Sequence, residues 1–390
     1  MGKSGVPLKR AIGLMSGTSM DGIDVAMIET DGENQVIRGP GLTLPYNLGD
    51  RRLLAHAMAA AQSCRHRDER PEALALAEDV VTRMHGAAVS AFLAQYGVAR
   101  SSIDVIGFHG QTVLHKPEMK LTIQLGSGAR LAEMTGIDVV YDLRAADVAA
   151  GGQGAPLVPV YHQALIAKLP QRPIAVVNIG GVANVTWMDD WGRYPEHRGG
   201  LIAFDTGPGS ALIDDWMMRR EGVAFDHEGA MAAQGDVNAD VLRACLSHEF
   251  FVKPPPKSLD RNAFVWDVVE WMTPEDGAAT LTAFTAEAIA RSREHMPEEP
   301  ALWIVCGGGR KNKTLMAMLA GRVENAVVPC EAVGLDGDMI EAEAWAYLAV
   351  RSLVGLPVTF PGTTGVGSPA TGGILAKAGC GKPAPDLNRS

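Results

Sequence analysis

The sequence lacks the short motifs that would assign it at once. There is no GxxxxGK[ST] phosphate loop, no GxGxxG after a strand, no GxSxG elbow and no HExxH helix. A P-loop NTPase, a dinucleotide fold, an α/β-hydrolase and a zincin therefore lose their main support. Cysteine is scarce: Cys64, Cys245, Cys306, Cys330 and Cys380 are odd in number and scattered, with no CxxC pair. That pattern predicts free thiols in a reducing compartment. Cationic charge is also short, with 35 Lys plus Arg against 45 Asp plus Glu, a net −10, and no long basic run. Nucleic acid and anionic membrane are excluded as expected partners, although a small anion can still be held locally. No apolar stretch is long enough for a membrane span. The basic N-terminus MGKSGVPLKR leads into no signal peptide, because polar Ser16–Asp24 cuts short the apolar run behind it. The expected location is the cytoplasm.

What is present is glycine at the ends of apolar runs, in a chain of 390 residues, 47% hydrophobic, long enough for two domains. The stretch Ala11–Glu29 reads as a β-hairpin, since Ala11–Met15 and Ile23–Ile28 are apolar and the connection is small and polar. A two-residue Asp-Gly turn would close such a hairpin, yet here the connection runs from Ser16 to Gly22 and carries Thr18, Ser19 and Asp21. Crowded backbone N–H groups and hydroxyls suit a phosphate; equally, Asp21-Gly22 can simply turn the chain. Arg51–Cys64 and Ala73–Tyr96 have helical spacing, with Gly97 as a C-cap. Ile103–Phe108 predicts a strand leading into a polar loop, and His109 and His115 are poorly spaced for a shared metal. A strand is expected to pass Asp142, Arg144 and Asp147 into GGQGAP, with the crossing between halves at 149–156.

The second half repeats the opening in pattern, because Ile174–Asn178 and Ala183–Met188 flank Gly180-Gly181. Leu201–Phe204 predicts a strand ending at Asp205, then TGPGS and a helix N-capped by Ser210. Trp303–Cys306 predicts a strand meeting Gly307-Gly308-Gly309, and a last helix is expected to open at Asp338, with loop beyond Gly355. Such alternation indicates α/β domains with ligands at the loop side of the sheets. The turns at 16–22, 180–181, 207–209 and 307–309 suit a clamped nucleotide, with Gly307–Gly309 flat against adenine.

Together, GLMSGTSMDGID at 13–24, HGQT at 109–112, GGQGAPLVP at 151–159, NIGGVAN at 178–184, FDTGPG at 204–209, KS with Arg261 at 257–261 and CGGG at 306–309 resemble the anhydro-N-acetylmuramic acid kinases. The resemblance runs from about residue 11 to about residue 375. It implies an α/β, two-domain actin-like ATPase (ribonuclease H-like) fold with a nucleotide cleft between domains, divided as 1–148 plus 357–390 and 149–356. It also implies ATP, Mg²⁺, 1,6-anhydro-N-acetylmuramic acid as substrate and a homodimer. Water opens the anhydro bridge at C1 while O6 takes the γ-phosphoryl group, giving N-acetylmuramate 6-phosphate in cell-wall sugar recycling. By the resemblance, Gly17, Thr18, Ser19, Met20, Asp21, Gly22, Ile23, Asp24, Gly180, Gly181, Gly307, Gly308 and Gly309 hold the nucleotide. Asp21 reaches the metal, Asp205 is the base, and Glu341 and Arg144 meet the sugar.

The chemistry asks for one base and an in-line acceptor. A single carboxylate suffices, because phosphoryl transfer to O6 replaces the protonation that a glycosidase's second carboxyl supplies. Alternatives stay open. Asp205 can be an Asx-turn residue, Glu341 can form a capping box with Asp338, and Arg144 can pair with Asp142 or Asp147. The chain departs from the family pattern at Ser210, usually Asn, and at Ala145 and Ala146, usually Arg. An ATPase that acts as a conformational switch and a non-catalytic muramyl-sugar sensor are the competing functions.

Overall fold

The computed structural model describes residues 7–17, 20–189 and 200–379, apart from the side chain of residue 262. The chain divides into two compact units, Met1–Ala167 with Glu341–Pro361 and Gly365–Ser390, and Lys168–Ile340 with Gly362–Thr364.

The first unit opens with three antiparallel strands, β1 (Lys9–Ser16), β2 (Gly22–Thr30) and β3 (Val36–Pro45). Helices α1 (Leu48–Ala61) and α2 (Glu72–Tyr96) come next. Asn47 and Asp50 form a capping box at the start of α1, and Gly97 ends α2 in the left-handed region. Strand β4 (Val105–Lys116) then runs parallel to β1, and β5 (Leu121–Leu125) folds back on it. After α3 (Gly128–Thr135), the short strand β6 (Val139–Tyr141) pairs parallel to β4, and helices α4 (Leu143–Ala149) and α5 (Pro159–Ile166) complete the run.

The second unit is built alike: β7 (Ile174–Ile179), β8 (Val182–Met188) and β9 (Leu201–Pro208) are antiparallel. Helices α6 (Ala211–Glu221), α7 (Ala239–Leu246) and α8 (Pro274–Arg291) lead to β10 (Leu302–Cys306), which runs parallel to β7. Helix α9 (Lys313–Ala320) connects to β11 (Ala326–Pro329), parallel to β10. The chain ends with α10 (Ile340–Leu353), α11 (Pro361–Thr364) and β12 (Ile374–Ala376), antiparallel to β6.

The strand orders β3-β2-β1-β4-β6 and β9-β8-β7-β10-β11 are the same order with the same directions. The repeat of pattern expected from the sequence is thus a repeat of topology, the α/β actin-like arrangement. On one face of each sheet apolar side chains pack under helices. In the first unit Ile12, Leu14 and Ile106 pack with Leu74, Val81 and Phe92 of α2; in the second Val177, Val185 and Phe204 pack with Ile289 of α8 and Leu315 and Leu319 of α9. Each such side chain, fully buried, contributes about 1.5–3 kcal/mol.

The division differs from the one drawn on the sequence, because α5 and all but the first residue of α10 belong to the first unit. The reason lies in two strand glycines. A Cβ on Gly13 would stand 1.7 Å from the Ala342 carbonyl oxygen, and one on Gly107 would stand 2.0 Å from that of Trp345, so α10 lies directly on β1 and β4.

Five local expectations are corrected. HGQT is not a loop, since β4 continues through it to Lys116. Asp142, Arg144 and Asp147 do not share a strand: Asp142 adopts φ 58 and the other two lie on α4. Strand β9 does not end at Asp205 but runs to Pro208, and beyond Gly355 the chain still forms α11 and β12. Ser210 occupies the N-cap of α6 without a side-chain capping bond.

Candidate active site

In the first unit the β1–β2 connection is residues 17–21, of which Thr18 and Ser19 lie outside the described residues. Its base is fixed from beneath. Ser16 Oγ donates to Gln111 Oε1 at 2.5 Å and lies 3.0 Å from the Tyr46 hydroxyl, while Gln111 Nε2 donates to the Gly17 carbonyl at 3.1 Å. Met20 adopts φ 57, and its N–H closes on the Gly17 carbonyl at 3.1 Å. Asp21 stands out with a 74% exposed side chain, its carboxylate 3.9 Å from Arg51. This exposed carboxylate fits a Mg²⁺ held mainly by phosphates and water; among the described residues no cluster of three His, Cys, Asp or Glu could hold an ion alone. The rest of the predicted segment has other duties. Gly22 pairs with Pro45, Ile23 is buried in the core, and Asp24 Oδ1 accepts from Thr43 Oγ1 at 2.6 Å.

The same unit carries Arg144 and Glu341. The expected Arg144 ion pairs give way to other bonds: Asp142 pairs with Arg67, and Asp147 Oδ2 accepts from the Gly154 N–H at 2.7 Å. Arg144 instead donates Nε–H and Nη2–H to His109 Nε2 at 3.3 and 3.2 Å and Nη1–H to the Gly154 carbonyl at 2.8 Å. The guanidinium also lies 5.2 Å from the Trp345 ring centroid, and that ring packs 4.5 Å from His109. Burial lowers the Arg144 pKa to about 10, while Glu341 and Asp147 act in the opposite direction. Glu341 lies in the first turn of α10, so the two sugar candidates fall within one electrostatic neighbourhood. The Asp338 carboxylate accepts from Arg310 at 3.0 Å and Lys311 at 2.9 Å. Of the two departures on α4, Ala145 is buried and Ala146 is exposed.

In the second unit Asp205 lies opposite Asn184, beside a bulge between Ala183 and Asn184. Its Oδ2 accepts the Leu259 N–H at 2.7 Å, and its own N–H donates to the Lys257 carbonyl at 3.0 Å. Oδ1 has no hydrogen bond among the described residues, and the side chain stays partly exposed. Burial raises its pKa to about 7, against the Leu259 N–H and the Lys257 charge. Lys257 Nζ is itself enclosed, donating to the Phe250 carbonyl at 3.0 Å over the Phe250 ring, and burial lowers its pKa to about 8. Such a carboxyl, one oxygen held and one open, can take a proton from water.

The glycine turns around it divide into two kinds. A Cβ on Gly180 or Gly181 would meet only ordinary contacts, and Arg261, paired with Asp215 at 3.1 Å, lies beside Gly181. Their carbonyls accept from the N–H groups of Gly209, Ser210 and Ala211. Gly307 and Gly309 are required by packing, since a Cβ there would stand 2.4 Å from Asn178 Oδ1 and 2.3 Å from Ile179 Cγ2; only Gly308 faces open space. Sequence reasoning gave no role to His109 or Trp345. A histidine inside a strand and an aromatic on the last helix were the available signals.

A family model described as anhydro-N-acetylmuramic acid kinase matches residues 9–378. The anhydro-N-acetylmuramic acid kinase of Azorhizobium caulinodans is 55% identical over 94% of this chain and 98% of its own length. That of Methylorubrum extorquens is 52% identical over 95% and 99%. Among solved structures, the ADPNP-bound activator of 2-hydroxyisocaproyl-CoA dehydratase from Clostridium difficile is similar at 11% identity and a TM-score of 0.46, over 89% of this chain and 96% of that one. No helix among the described residues is long and apolar enough to cross a membrane. On the whole-length match, the chain belongs to the anhydro-N-acetylmuramic acid kinase family.

Proposed function

We propose that this protein uses ATP to open 1,6-anhydro-N-acetylmuramic acid with water and to phosphorylate O6, yielding N-acetylmuramate 6-phosphate for cell-wall sugar recycling in the cytoplasm. Family membership over nearly the whole chain supports the reaction, and the observation that carries the mechanism is Asp205, with one oxygen held by Leu259 and the other without a partner among the described residues. Asp205 takes a proton from water as the oxygen of that water bonds to C1. The C1–O6 bond breaks, and O6 bonds to the γ-phosphorus as the bond to ADP breaks. Residues 17–21 and the glycine turns at 180–181 and 307–309 hold ATP. Bound Mg²⁺ would neutralise phosphate charge, with Asp21 as the carboxylate that reaches it. Arg144 and Glu341 bind the sugar. The active form is a homodimer, to be checked by light scattering.

The test is product analysis in oxygen-18-labelled water. Label at C1 of a 6-phosphorylated sugar is the expected result; ATP hydrolysis without a sugar product would overturn the reading. Nothing in the structure favours the switch or sensor functions.

A further inference from the structure

Arg144 has five N–H donors, and its bonds to His109 and Gly154 use three of them: Nε–H and one on Nη2 for His109, and one on Nη1 for Gly154. One N–H on each terminal nitrogen is left without a partner among the described residues. That pair is the donor set a carboxylate takes with its two oxygens. What turns the guanidinium this way is His109. Its Nδ1 lies 3.1 Å from the Ser16 carbonyl, which can only accept, so the ring proton sits on Nδ1 and the Nε2 lone pair faces Arg144. The Thr112 hydroxyl, 3.4 Å from Nε2, is compatible with that assignment, and burial with the nearby Arg144 charge holds the imidazole neutral. The Trp345 ring closes the arrangement on one side.

The other guanidinium groups nearby do not offer this. A cavity in the same unit is lined by Arg67, Arg70, His109, Gln124, Tyr141 and Asp142. Arg67 is paired with Asp142 and Arg70 with Glu78 at 3.2 Å, so both charges are already matched. Arg144, bonded through His109 to the wall of that cavity, keeps two N–H groups uncommitted among the described residues.

We propose that His109 is a positioning residue that aims two Arg144 N–H groups at the lactyl ether carboxylate of the sugar, and so makes the enzyme selective for 1,6-anhydro sugars that carry it. This rests on the kinase reading and adds a specificity device to it.

The test compares kcat and KM for 1,6-anhydro-N-acetylmuramic acid and 1,6-anhydro-N-acetylglucosamine, which lacks the lactyl group, in four proteins. Wild type is expected to prefer the first sugar. His109→Asn keeps a donor near Ser16 but loses the acceptor at the Nε2 position; Arg144→Lys keeps the charge but loses the paired donors. Each is expected to lower kcat/KM for the carboxylate sugar by about 10- to 100-fold, mainly through KM. The second sugar is expected to lose less than the first, and the KM for ATP should move less than about threefold. His109→Gln, which returns an acceptor near the Nε2 position, is expected to recover part of the preference. Melting temperatures check that the variants fold, and Arg144→Lys carries the test should His109→Asn not fold. An equal loss for both sugars, or an unchanged preference, overturns the positioning role. A wild type that turns over both sugars equally overturns the selectivity alone. A wild type that phosphorylates neither overturns the underlying kinase reading.

Discussion

The hairpins β1–β2 and β7–β8 occupy the same place in two sheets of the same topology, yet their tips differ. In the first unit Asp21, the last residue of the connection, presents its side chain to solvent. In the second, Gly180-Gly181 is pulled against the start of α6, its carbonyls accepting three N–H groups. Acidity moves in the opposite sense. At the third residue of the second strand, the first unit has Asp24 facing Thr43, and the second has Asn184 facing Asp205. Asp24 is engaged by a neighbouring hydroxyl at the surface, whereas Asp205 keeps an oxygen open and is pushed towards neutral pH by burial. One frame therefore carries two functions, an outward loop suited to phosphate and metal and an inward carboxyl suited to proton transfer.

The sharpest break of that comparison is Asp205→Asn beside Asp24→Asn. The first is expected to lower turnover by about a thousandfold while ATP still binds in a calorimeter, and the second by less than about threefold. Substantial phosphorylation by Asp205→Asn would remove it as the base. Acidity tests the same contrast. The base works only as the carboxylate, so kcat/KM should fall as pH drops through about 7, by roughly tenfold per unit below it and about 100-fold two units down. A flat profile between pH 5 and 8 would contradict the assignment. The sign for stability is the reverse: a carboxyl raised on folding favours the protonated folded state, so its contribution is present below the unfolded value of about 4 and is lost as pH rises through about 7.

Smaller effects probe the tips themselves. Gly209→Ala sets a Cβ 2.2 Å from the Gly180 carbonyl oxygen, and is expected to cost about 2 kcal/mol, roughly thirtyfold in the folding constant. Gly181→Ala, with ordinary contacts around it, should stay within about 0.5 kcal/mol, as chemical denaturation would register. Last, Asp21→Asn is expected to raise the Mg²⁺ needed for half-maximal rate by about tenfold. An unchanged Mg²⁺ titration would deny Asp21 that contact.

The paired hairpins and α2 with its Gly97 cap were legible because each has clean periodicity and a recognisable stop. Strand β3 was not, because VIRGPGLTLP carries two glycines and two prolines that an edge strand tolerates but a pattern search rejects. The continuation of β9 through Thr206-Gly207-Pro208 was hidden for the same reason, since β9 is also an edge. HGQT looked like a loop because it is polar, yet in β4 its histidine and glutamine are buried on internal partners. Asp205 could be named from its motif, but its open oxygen could not. The Arg144 partners were equally out of reach, because His109 lies 35 positions away and a hydrogen bond at that separation leaves no periodic trace.

The glycines at 13 and 107 have a consequence for the order in which the protein is made. The helix they admit comes from Ile340–Leu353, after every strand of the second unit. As the chain leaves the ribosome, strands β1 and β4 must wait through the synthesis of an entire second unit before their covering helix exists. The second unit can close first, and the earlier-made half is the one left exposed to chaperones and proteases.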